Sequence, residues 1–100
     1  MKIQIVLTDG AIRNSYINLR GHLDKFADRF IGAADMTRKG QYLKLDVGSG
    51  VSFETDVCGK HQRFRNRSVL KVLNDRFNFV AGDVLVIEQL TEGNWKVSIA

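Results

Sequence analysis

Apolar and polar residues alternate with a period of two over most of this chain, the spacing of strands with one buried and one wetted face. The runs KIQIVLT at 2–8, YINL at 16–19, QYLKLDV at 41–47, VSFETDV at 51–57, DVLVIEQL at 83–90 and NWKVSI at 94–99 predict strands. In VSFETDV the alternation places Val51, Phe53, Thr55 and Val57 on one face, and Ser52, Glu54 and Asp56 on a face expected to meet solvent. Gly48-Ser49-Gly50 reads as the hairpin turn leading into that run, and Glu92-Gly93 as the turn of a second hairpin.

Two stretches break the alternation. Leu19, Leu23, Phe26 and Phe30 recur at spacings of four and three, as do Val69, Val72, Leu73 and Phe77, which predicts two short amphipathic helices. Ser68 or Asn66 is placed to cap the second, because a side-chain oxygen there can accept from an unpaired first-turn amide. Repeats, low-complexity tracts and proline are absent. One hundred residues with 44% hydrophobic content suit a single domain, residues 1–100. About seven strands and two short helices point to a mainly β fold, a small barrel.

Charge sharpens this picture through its location. The chain has fifteen Lys plus Arg against eleven Asp plus Glu, a formal net charge of +4. Between Asp56 and Asp75 there is no carboxylate, yet Lys60, Arg63, Arg65, Arg67 and Lys71 all lie there. Without those five, ten basic residues face eleven acidic ones, so the positive excess comes from one window. Within KHQRFR at 60–65, arginine can fork onto guanine O6 and N7, and Gln62 can pair with adenine, a vocabulary that lysine tracts lack. Charged edge strands that resist aggregation have the same composition, so a solvated turn and strand edge is the competing reading. A second polar segment, GAIRNSY at 10–16, is expected as a loop carrying Arg13, Asn14 and Ser15. Phe64 should point inward if Arg63 and Arg65 point outward, and Trp95 and Tyr42 are expected in the core.

The order of three segments resembles the B-three DNA-binding domains of plant transcription factors and of bacterial restriction endonuclease effector domains. They are LTDGAIRNSYINLRGHLDKF at 7–26, KHQRFRNRSVLKVLNDRF at 60–77 and VAGDVLVIEQL at 80–90. The segments RGHLDKF and ETDVCGKHQRFRNRS are closer to the bacterial type. The family's proline before the first helix is missing here, where Asn18-Leu19-Arg20 stands. The resemblance implies a seven-stranded open pseudobarrel whose two arms grip the major groove of double-stranded DNA. By position, Arg13, Asn14 and Ser15 match the N-terminal arm, and Lys60, His61, Gln62, Arg63 and Arg65 the C-terminal arm. Arg20, Lys25, Arg67 and Lys71 are then expected at phosphates. It also implies a non-catalytic recognition domain that works with a separate nuclease in restriction or defence.

Other chemistries fit less well. Glu54 and Asp56 are paired carboxylates of the kind that hold a metal for phosphodiester cleavage, but the lysine that usually follows two residues later is missing. Cys58, His61 and His22 leave a zinc site without a fourth ligand, and Cys58 has no oriented base to make it a nucleophile. No metal or cofactor is therefore expected. A protein-interaction or assembly barrel with a basic partner-binding surface is the alternative. A single cysteine excludes an intrachain disulfide, and neither a leader pattern nor an apolar run of spanning length is present, so the expected compartment is the cytoplasm, without a membrane partner.

Overall fold

The first alternating run becomes β1 (Lys2–Val6), which buries Ile3 and Ile5 and exposes Lys2, Gln4 and Val6, in this computed structural model describing residues 1–100. The later runs give β3 (Leu43–Asp46), β4 (Ser52–Thr55), β7 (Val84–Thr91) and β8 (Asn94–Ile99). Together these form a five-stranded sheet ordered β1-β7-β8-β3-β4, and both expected hairpins are present in it as antiparallel pairs. The junction between them is parallel, with Leu45 of β3 opposite Trp95 of β8. A second, three-stranded sheet is ordered β2-β5-β6, from β2 (Ile31–Gly32), β5 (Val57–Cys58) and β6 (Arg63–Phe64).

One apolar core joins the two sheets. Trp95 is 1% exposed, and its ring centroid lies 4.7 Å from that of Phe26, which in turn meets Phe64 edge-on at 5.7 Å. Burial of a side chain of this size contributes roughly 1.5–3 kcal/mol, so these aromatics anchor the smaller sheet to the larger one. Tyr42, expected beside Trp95 in the core, is instead exposed, and the Lys39 ammonium lies 4.2 Å above its ring.

The fold is thus mainly β, but with eight strands in two sheets where a seven-stranded open pseudobarrel was expected. The division falls inside VSFETDV: Asp56 turns inward and is 0% exposed, which ends β4 and sends β5 into the other sheet. The extra strand β2 has only two residues, too few for any period to announce.

The helices also moved. The stretch expected to be helical from Leu19 to Phe30 forms two 3₁₀ turns, Leu23–Lys25 and Asp28–Phe30, separated by Ala27 in extended conformation. Consecutive tight turns satisfy the same spacing of four and three, so Phe26 and Phe30 are buried without a continuous helix. YINL has the expected burial of Ile17 and Leu19 but makes only a single bridge, Asn18 to Arg63. The expected loop at 10–16 begins as a helix, α1 (Asp9–Asn14), whose first turn Thr8 caps by accepting the Ala11 N–H at 3.2 Å. Ala11 is buried and Ile12 packs on the core, so this segment has an apolar role that its polar residues obscured. The second expected helix is α2 (Ser68–Phe77), buried through Val69, Leu70 and Leu73 while Phe77 is exposed. Neither candidate sits at the cap, which is Arg67 and makes no side-chain cap hydrogen bond; Asn66, one residue earlier, accepts the Ser68 N–H at 2.9 Å. No helix is long and apolar enough to cross a membrane.

Candidate nucleic-acid interface

The two polar segments singled out in the sequence meet in space. The chain after α1 runs antiparallel to β6, where Asn18 bridges Arg63 and the Leu19 N–H donates to the Gln62 carbonyl at 2.7 Å. The Arg63 guanidinium lies 4.8 Å above the Tyr16 ring, an arrangement that favours the cation and fixes a long side chain. Helix α1 also packs against α2. Arg13 and Asn14, at the end of α1, and Ser15, its left-handed cap, are therefore tethered to the basic window at two places.

Backbone strain falls on both segments. Gln62 has a φ of 54° and Ser15 a φ of 56°, a conformation that costs a residue with a side chain on the order of 1 kcal/mol or more. At Gln62 it is enforced from both sides, because its N–H donates to the Cys58 carbonyl at 2.7 Å while its own carbonyl takes the Leu19 N–H. Lys60 and His61 occupy the turn this creates, and both are exposed.

The alternation of β6 resolves the arm. Phe64 is 1% exposed and points inward as expected. Arg65 does not extend to solvent: its Nε donates to Asp56 Oδ1 at 2.6 Å and its Nη2 to Oδ2 at 3.0 Å. The same guanidinium donates to the carbonyls of Ala33 at 2.5 Å and Ala34 at 3.1 Å. Hydrogen bonds to the Asp56 carboxylate raise the Arg65 pKa above its already high ordinary value, so this cation is permanent. Its fork is filled within the chain, and its function here is to hold segments together.

Arg67 and Lys71 are four residues apart at the start of α2, on one helix face, and both are exposed. Asn66 positions that start: its N–H donates to Thr55 Oγ1 at 2.9 Å and its Nδ2 to the Glu54 carbonyl at 3.3 Å. His61, Arg63, Arg65 and Arg67 line a surface cleft of about 280 Å³ with Ala34, Met36 and Cys58. Arg20 lies in a shallower depression with Gln4, Asn18 and His22. Lys25 sits on the first 3₁₀ turn, with its ammonium 3.7 Å from Asp24.

The alternative chemistries take a different shape here. Asp56 and Glu54, the possible nuclease pair, border one surface cleft, but Asp56 is buried and its carboxylate is occupied by Arg65 and the Gly40 N–H, while Glu54 is exposed. Cys58 is buried, and no group of three or more His, Cys, Asp or Glu side chains is arranged to hold a metal ion. Sequence reasoning missed Tyr16, Asp56 and the 33–40 loop. The only trace of Asp56's part was its place as the last acid before the basic window.

No protein-family model, curated protein or solved structure matches this chain.

Proposed function

We propose that this chain binds double-stranded DNA with sequence preference, as a B-three-like recognition domain that does no chemistry of its own and acts with a separate nuclease. The observation that carries the reading is the seating of Arg63 on Tyr16, which brings the early polar segment and the basic window to one surface. In this reading Arg63, Gln62 and His61 read base edges in the major groove with Arg13, Asn14 and Ser15. Arg20, Lys25, Lys60, Arg67 and Lys71 neutralise phosphates, and Arg65 holds the arm in place. The order of the three B-three-like segments supports the same assignment.

Selection of bound duplexes from a random library tests it directly. A defined consensus is expected. If five to seven phosphates are neutralised, log K should fall against log salt with a slope of about −5 to −6. Retention on heparin and on every duplex alike, without a consensus, would favour the assembly barrel instead.

A further inference from the structure

The segment between β2 and β3 is a closed loop fastened to the basic arm. Its neck is formed by Gly32 and Gly40, which approach so closely that a Cβ on Gly32 would lie 2.2 Å from the Gly40 nitrogen. The Gly40 N–H donates to Asp56 Oδ2 at 2.6 Å, and Arg65 takes the Ala33 and Ala34 carbonyls. The Asp56–Arg65 pair therefore latches both sides of the loop to β6. Inside it, the Ala33 N–H donates to the Arg38 carbonyl at 2.9 Å, and Asp35 caps the 3₁₀ turn Met36–Arg38 by accepting the Thr37 N–H at 2.8 Å.

This latched loop presents an apolar side chain. Met36 is 58% exposed and lines the cleft shared with His61, Arg63 and Arg67. A flexible thioether held in water beside cations gains little from the fold. In a major groove it would meet the one apolar group that base pairs display, the 5-methyl of a pyrimidine.

Resting on the DNA-binding reading, we propose that the 33–40 loop is a third contact element of the interface and that Met36 is a specificity-determining residue that recognises a pyrimidine 5-methyl group. The Asp56–Arg65 latch sets the position of Met36, while the groups that read hydrogen bonds remain on the arm.

The test uses the duplex obtained by selection, with thymines replaced one at a time by uracil and, in parallel, cytosines replaced by 5-methylcytosine. At one position the methylated base is expected to bind about fourfold tighter, the worth of one methyl group removed from water. Met36→Ala should erase that ratio and Met36→Leu should retain it, with the salt slope unchanged in both. The thymine and methylcytosine arms show which base supplies the methyl. A wild-type chain that binds duplex with its full salt slope yet ignores the methyl, or a Met36→Ala variant that keeps the ratio, overturns the inference and leaves the DNA-binding reading standing. Failure to capture any duplex at low ionic strength overturns both.

Discussion

Asp56 and Arg65 face each other from the two ends of the β5–β6 hairpin, and their side chains together fasten the 33–40 loop to that hairpin. The carboxylate is 0% exposed and the guanidinium 15%. Such a pair is a weak source of net stability but a costly one to break, because removal of one partner strands a buried charge. Asp56→Ala is expected to cost about 3–5 kcal/mol. Urea unfolding monitored by Trp95 fluorescence measures it, and a loss below about 1 kcal/mol would contradict the described latch.

How much of this was legible in advance follows from the length of each element. Long alternating runs such as β1, β7 and β8 declared themselves, because five or more residues set a face unambiguously. Helix α1, with six residues and a glycine second, carried too little period to be seen, and the two 3₁₀ turns imitated a helix. At the candidate site the charged window was evident, but the inward turn of Arg65 was not. Alternation puts Arg63 and Arg65 on one face, whereas their different partners, Tyr16 and Asp56, come from distant parts of the chain.

Phe64 ties the arm to the core through its edge-on contact with Phe26. Truncation to alanine should leave a cavity and cost about 3–5 kcal/mol. Affinity for duplex should fall with it, more than for a surface variant of equal charge. Thermal unfolding and duplex titration on the same preparation check both expectations.

Arg63 and Lys71 separate the two kinds of contact. Arg63→Ala should relax base preference at one or two positions and weaken the selected duplex by about 1–3 kcal/mol. Lys71→Ala should weaken all duplexes alike and lower the magnitude of the salt slope by about one. Superimposable specificity profiles for the two variants would reject this division of roles.

The 33–40 loop should respond to acid in a defined direction. Hydrogen bonds from the Thr37 hydroxyl, then from Arg38, hold the Asp35 carboxyl below the ordinary carboxylate range. The order this carboxylate imposes is thus fully present above the unfolded value of about 3.9 and lost as pH falls through the lower folded one. In NMR titrations the Thr37 amide should shift only below about pH 4. Thr37→Ala should bring the midpoint back up toward the ordinary range.

The parallel seam between β3 and β8 has a consequence for assembly of the domain. Strand β1 touches only β7, and the β3–β4 hairpin reaches the rest of its sheet only through β8. Neither half can be sealed by local contacts, so the closing step must wait for a pairing that spans half the chain and carries the full loop-closure entropy. Slow refolding is the expected signature. A chain lacking Asn94–Ile99 should leave the long-range β1–β7 pair and the β3–β4 hairpin unconnected, with Leu45 and Ile87 uncovered, a form prone to stick to its own copies.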